Sequence, residues 1–235
     1  MRILSIDTSS TRGSLALSEN TTLVIQEQLG IPRTHSEHLI PSIDALLTKA
    51  NWERTSLEGI VVAMGPGSFM GLRIGLATAK GIALAVECPI VGISSLASLS
   101  LNGRYGGGAV IALIDARRGE VYTTACQFLH GEVQKFFWKE SLFSPPDLIQ
   151  KLGTVPGEML LVGDGVITYG TRIKKEIGKR VTLAEGTTLL PQAINLALLA
   201  LPRLQQGKGD DLASLLPNYI RQSDAEIGFQ GKKKL

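Results

Sequence analysis

The feature that most limits how this chain can fold is an internal repeat. Residues 110–140, "VIALIDARRGEVYTTACQFLHGEVQKFFWKE", read as an apolar strand ending in Ile-Asp, a turn with arginine and glycine, a second strand, a polar turn and a third strand. The first thirty residues run the same way: "RILSID", a turn through "TSSTRG", "SLALS", a turn at "ENT", then "TLVIQEQL". Ile6-Asp7 corresponds to Ile114-Asp115, and Arg12-Gly13 to Arg118-Gly119. Repetition of a whole supersecondary unit implies a duplicated architecture. Each unit is a three-stranded meander followed by alternating helices and strands, so the chain reads as two similar α/β lobes. The glycine-rich stretch "NGRYGGG", 102–108, marks the boundary, giving lobes over 1–104 and 105–235.

In the first lobe, Thr34 stands three residues before Glu37, a capping box that opens a helix carrying Leu39, Ile40, Ile43, Leu46 and Leu47 on one face. Pro41 either bends that helix or marks its true first turn. A strand over 59–64 runs into "GPGSFMGLRIG" and a long apolar helix. "PIVGI" supplies another strand, and Ser94 or Ser95 caps a helix opening "LASL". The second lobe continues with a helix after "SPPD", a strand "EMLLVG", the turn "GDGV", and helices from about 166 and 188. The last segment, "LLPNYIRQSDAEI", follows a glycine-containing break and is expected to pack back onto one of the lobes, the first in particular.

A hydrophobic content of 44% over 235 residues is enough for a core of ordinary size. Two cysteines inside apolar runs, Cys88 and Cys126, offer neither a disulfide framework nor metal-ligand spacing, which suits a reducing compartment. The opening "MRILSIDTSS" lacks the apolar stretch of a signal peptide. The most apolar window, 71–86, is broken by Arg73 and Lys80 and is too short for a bilayer. A soluble cytoplasmic chain is therefore expected. The net charge of +3 is too small to argue for nucleic acid, and the cluster "GKKKL" at 231–235 reads as a solvated end rather than a phosphate-binding arm.

The glycine loop invites comparison with phosphate-binding turns and fails it. A Walker loop needs four residues between its glycines, then Lys and Ser or Thr. Here five residues separate Gly65 from Gly71, and Leu72 and Arg73 follow. The dinucleotide fingerprint Gly-x-Gly-x-x-Gly is missed by one residue, and no acid follows at the ribose position. The glycines instead serve packing. Gly71, Gly75, Ala79 and Ala83 recur every fourth residue as a ridge of small side chains. Arg73, Lys80 and Glu87 form the one charged stripe on a helix otherwise apolar all round, so a second face must be covered. Periodicity leaves two possibilities: the helix is sandwiched within its own domain, or its small ridge meets another chain.

Other candidate groups are weaker. His35 and His38 share a helix face, but His130 is the sole further histidine and no cysteine or carboxylate joins them, so a metal site is not expected. Asp7 and Asp115 each end a buried-looking strand, a placement that would suit a carboxylate pair holding magnesium or acting as a base. The hydroxyl-rich "DTSSTRG" suits a phosphate; "DARRG" does not. Ser9, Ser10 and Ser68 have no histidine partner for a hydrolase triad. Arg117 and Arg118 suit an anion or a partner carboxylate.

Taken in order, "ILSIDTSS", "HSEHLIP", "GPGSFMGLRIGLATAKGIA", "GISSLASL", "ALIDARRGEVY" and "PNYIR" resemble the TsaB (YeaZ) family over nearly the whole chain. The resemblance implies the two-lobed α/β fold of the actin, Hsp70 and sugar-kinase group, with duplicated ribonuclease-H-like lobes. It implies a non-catalytic dimerization subunit, without cofactor or metal, that supports a catalytic TsaD subunit in threonylcarbamoyl transfer to N6 of adenosine 37 of tRNA. An ATPase subunit, TsaE, belongs to the same system, and self-association is implied for the isolated chain. The metal-binding histidines of the catalytic relative have no counterpart between Ser94 and His130. The partner surface implied comprises His35, His38, Pro66, Ser68, Phe69, Gly71, Leu72, Gly75, Leu76, Ala79 and Ala83. The alternative is an enzyme of the same fold acting alone, as a metal-dependent peptidase or a nucleotide hydrolase. A third reading is direct tRNA contact by Arg117, Arg118 and the lysine tail.

Overall fold

The computed structural model describes residues 1–30 and 35–221, the side chains of 35–37 excepted. The Thr34–Glu37 capping box, the His35 side chain and the lysine tail lie outside the described residues. The first lobe contains β1 (Arg2–Asp7), β2 (Ser14–Glu19), β3 (Thr22–Gln28), α1 (His35–Lys49), β4 (Gly59–Gly65), α2 (Phe69–Ala85), β5 (Ile90–Ser94) and α3 (Ser95–Ser100). The second contains β6 (Ala109–Arg117), β7 (Glu120–Leu129), β8 (Glu132–Phe143), α4 (Pro145–Gly153), β9 (Met159–Val162), α5 (Gly165–Ile177) and β10 (Val181–Leu183), and α6 (Ala193–Gln205) follows.

The repeat in the sequence is a repeat of topology. The sheets run β3-β2-β1-β4-β5 and β8-β7-β6-β9-β10, each an antiparallel meander joined to two parallel strands. Asp7 pairs with Ser14 and Asp115 with Val121 at equivalent ends of the two central strands. Each sheet is apolar on both faces, as strands covered on both sides must be. On the first sheet, α1 and α2 cover Leu4, Ile6, Leu15, Leu17 and Val62, while α6 covers Ile3, Val61 and Val91. On the second, α4 and α5 cover Ile111, Leu113 and Leu161, while α3 lies over Val110, Ala112 and Tyr122.

Local signals placed several elements correctly. Ser94 caps α3 through Ala97 N–H, and Ser144 caps α4 through Asp147 N–H, with Pro145 and Pro146 in the first turn. Others differ from expectation. Of the two readings of Pro41, the first turn is the one that fails, since α1 starts at His35 and runs through Pro41. The helix expected from 188 starts at Ala193. Residues Gly186–Leu189 form a single 3-10 turn, and Leu190 and Gln192 are extended. The first N–H groups of α6 find their acceptors on the other lobe, Ser14 Oγ for Ala193 and Gln26 Oε1 for Ile194, each at 3.1 Å. β10 was not anticipated. The described part of the final segment holds neither helix nor strand. Residues 208–221 form a strap that bonds to Ile90 and Gly92 through Asp210, to Met64 through the Asn218 N–H, and to Glu140 and Glu120 of the second lobe through Asn218 and Arg221. No described helix is long and apolar enough to cross a membrane.

Candidate partner interface

The β4–α2 loop answers the question of the glycines. Ser68 caps α2, its Oγ accepting from Gly71 N–H at 3.3 Å, and its own N–H donates to Ser9 O at 2.6 Å. Thr8 Oγ1 donates to Gly71 O at 2.7 Å, inside the core. A Cβ on Gly67 would overlap Ser9, and one on Gly71 or Gly75 would overlap Thr8. These glycines let the β1–β2 loop ride directly on the helix. Ala79 and Ala83 continue the same ridge into the first-lobe core. The sequence-derived partner surface is therefore corrected: Gly71, Leu72, Gly75, Leu76, Ala79 and Ala83 are buried within their own lobe, as is Pro66. Of the other residues assigned to that surface, His38 and Ser68 are exposed and Phe69 is half-buried.

The helix nevertheless carries a second apolar face. At 100° per residue, Met70, Ile74, Ala77, Gly81, Leu84 and Ala85 lie opposite the buried ridge. Met70 is 63% exposed and Leu84 70%. Ala77, Gly81 and Ala85 repeat the four-residue spacing of small side chains, and a Cβ on Gly81 would meet nothing within 4 Å. Between this face and α1 runs a groove of about 510 Å³, walled by Ile40, Ile43 and Leu47 on one side and Ala77, Gly81 and Ile82 on the other. Ile40 is 56% exposed at its lip. The acid of the groove, Asp44, is held by Arg54 in a two-pronged ion pair at 2.7 and 2.9 Å. Exposed apolar surface of this kind makes this face the candidate docking surface.

Between the lobes, beside Asp7, the described residues leave little space. Asp7, Ser9, Ser10 and Asp164 line a cavity of about 10 Å³, room for a single water, and Leu99, Ile114, Leu189 and Pro191 fill the rest. Small-molecule pockets need several hundred Å³. Burial pushes the Asp7 carboxyl above its ordinary value against two hydrogen bonds from Ser9, and burial likewise raises Asp164. In the second lobe Arg118 and Gly119 form a two-residue hairpin turn with both φ positive. Asp115 accepts the Arg117 N–H at 2.8 Å and lies 3.6 Å from its guanidinium.

His130 sits in the β7–β8 turn, away from His38 in α1, and no three potential metal ligands converge among the described residues. Burial raises both thiols, Cys88 and Cys126, to about 11, so neither is primed as a nucleophile. Sequence reasoning did not single out the exposed residues of the outer face, Met70, Ala77, Gly81 and Leu84. Their four- and seven-residue spacing was visible, but nothing local distinguished the outer ridge from the inner one.

Residues 24–229 match the family described as "TsaD: tRNA N6-adenosine threonylcarbamoyltransferase". The chain is 30% identical to the tRNA threonylcarbamoyladenosine biosynthesis protein TsaB of Bacillus subtilis over 100% of both chains. It is 32% identical to TsaB of Escherichia coli over 99% of this chain and 100% of that one. YeaZ from Pseudomonas aeruginosa superposes with a TM-score of 0.75 at 29% identity, over 93% of this chain and 99% of the other. In fold alone, the ROK hexokinase of Thermus thermophilus is similar, with a TM-score of 0.52 at 12% identity over 88% of this chain and 100% of that one. The architecture is thus the two-lobed fold of the actin, Hsp70 and sugar-kinase group.

Proposed function

Because this chain belongs to the TsaB (YeaZ) family, we propose that it is the non-catalytic subunit that binds and activates a TsaD-type catalytic subunit. Its role lies in the biosynthesis of threonylcarbamoyladenosine in tRNA, the pathway for which its relatives are named. The observation that carries the finer reading is the outer face of α2. A helix that has already buried one small-residue ridge against Thr8 leaves a second such ridge, flanked by Met70 and Leu84, in water. Small side chains let a partner helix approach closely and increase dispersion contact. Association would hold the partner's active site in its competent arrangement, because a contact made only with that arrangement shifts the population toward it. The same face accounts for self-association when the partner is absent. A TsaE-type ATPase completes the system, and tRNA contact is made through the complex. The small size of the cavity at Asp7 and Asp164 supports this reading over an enzyme acting alone.

The test is reconstitution of tRNA modification by the catalytic and ATPase subunits with and without this chain, carried out beside Ala77→Arg and Gly81→Glu. Both variants place charge on the exposed ridge and should lose co-purification with the catalytic subunit and its stimulation, with the unfolding midpoint unchanged. Gly75→Glu or Ala79→Arg would unfold the lobe instead, since those positions are internal. Full complex formation by both outer-face variants would overturn the proposal.

A further inference from the structure

Arg73 borders the outer stripe of α2, and its side chain is fixed in place. The guanidinium carbon of Arg73 lies 3.9 Å from the Phe69 ring centroid and 5.9 Å from that of Tyr219, and the two rings are 4.8 Å apart. Arg73 Nε donates to Tyr219 Oη at 3.0 Å. Among the described residues that is its one hydrogen bond, so the edge carrying both Nη atoms is uncommitted. Tyr219 belongs to the strap and is held by its neighbour Asn218, whose N–H bonds Met64 O at 2.7 Å. Met70, which follows Phe69 on the helix, is 63% exposed although it is large and apolar.

We propose that Arg73 is a preorganised anchor for a carboxylate that the catalytic partner presents from a helix packed along α2. This inference rests on the docking face proposed above and adds the chemistry of the residue that face receives. A free arginine loses rotamer freedom when it pairs. Here stacking on two rings and the bond to Tyr219 have already removed most of that freedom. The uncommitted Nη edge matches the two oxygens of a carboxylate, a geometry lysine does not reproduce. Met70 can exclude water once a partner covers it, the setting in which arginine and aromatic anchors dominate binding. The occupant of the anchor is the catalytic chain. A second copy can share the face without filling the anchor, since the acid that its groove would bring, Asp44, is already engaged by both prongs of Arg54.

The test is titration of the purified TsaD-type subunit against the wild-type chain, Arg73→Ala, Arg73→Lys, Tyr219→Phe and Gly81→Glu, each checked for an unchanged unfolding midpoint. Arg73→Ala should weaken binding roughly 30-fold, or about 2 kcal/mol, as truncation of a desolvated charge pair does. Arg73→Lys should recover less than half of that loss. Tyr219→Phe, which keeps the ring but frees the guanidinium, should cost about threefold. Self-association of Arg73→Ala should match the wild type. If Arg73→Ala binds within twofold of wild type while Gly81→Glu abolishes binding, the anchor is wrong and the docking face stands. Normal binding by Gly81→Glu would remove the face and the anchor together. Wild-type binding by Arg73→Lys would overturn the two-pronged carboxylate.

Discussion

Gly75 and Gly81 lie in the same helix and should respond to one added methyl group with opposite signs. Replacing glycine by alanine inside a helix gains about 0.8–1.0 kcal/mol of backbone entropy and propensity wherever the methyl has room. At Gly81 it has room, because a Cβ there meets nothing within 4 Å. Nearly the whole gain should appear as stability. At Gly75 the new carbon would overlap Thr8 Oγ1 and press on the Thr8 Cβ at 3.4 Å, and Thr8 is fully buried. Overpacking of this kind costs roughly 1–3 kcal/mol. Displacing the hydroxyl also breaks its bond to Gly71 O and leaves a buried donor unsatisfied, another ~1–3 kcal/mol. After the propensity gain, a net loss of about 3 kcal/mol is expected. For a chain of this size 1 kcal/mol moves the melting midpoint by roughly 2–4 °C. Gly81→Ala should therefore melt about 2–4 °C above wild type and Gly75→Ala roughly 6–12 °C below it. Calorimetry on dilute protein, where self-association does not add to stability, measures both. Shifts of the same sign would refute the assignment of inner and outer faces.

Two carboxylates should respond to pH in opposite ways. Burial raises the folded pKa of Asp7, so its ionised form disfavours the fold: stability is greatest below the ordinary carboxylate value of about 3.9 and falls as pH rises through the folded value. Asp7→Asn, which can still accept from Ser9, should stabilise the chain at neutral pH, with the advantage vanishing in urea titrations below about pH 4. Asp210 is the reverse case. Burial opposes its ionisation, but the bonds from Arg203 and Gly92 N–H and the charge of Arg203 outweigh burial and hold its pKa below the ordinary value. Its contribution is complete above about pH 4 and is lost as pH falls through the folded value. Asp210→Asn should destabilise the chain at pH 7 and match wild type in strong acid; an offset that persists at low pH would contradict this account.

How far the sequence could be read depended on the range of the interaction involved. The duplicated meander was legible because strand alternation and turn chemistry act within a few residues, and Ile6-Asp7 and Ile114-Asp115 do fall at equivalent strand ends. The start of α4 was legible because Ser144 and its two prolines sit beside it. The start of α6 was not, because its caps come from Ser14 and Gln26, far away in the chain. For α2 the pattern was correct and the face was not. Gly71, Gly75, Ala79 and Ala83 have the same spacing as Ala77, Gly81 and Ala85, and only the contact with Thr8 separates inside from outside. The strap has no periodicity at all; its order comes from single bonds to Met64, Glu140 and Glu120.

The same long-range contacts explain why a surface, rather than the cleft, carries the function proposed. Leu189 and Pro191 enter the cleft on the connector between β10 and α6, and that connector is tied to the first lobe by four hydrogen bonds. Gln26 Nε2 donates to Gln192 Oε1 and Gln28 Nε2 to Pro191 O, while Asn102 Nδ2 donates to Thr188 O and to Leu190 O. At about 1 kcal/mol each, withdrawing the connector to admit a ligand would cost about 4 kcal/mol before any contact with the ligand is made. A ligand of micromolar intrinsic affinity would then bind at roughly millimolar concentration, because the open state is populated about one part in a thousand. Docking on the outer face of α2 requires no such opening. Met70, Ala77, Gly81 and Leu84 are already in water, and Arg73 is already held in position, so contact made there goes into association rather than rearrangement.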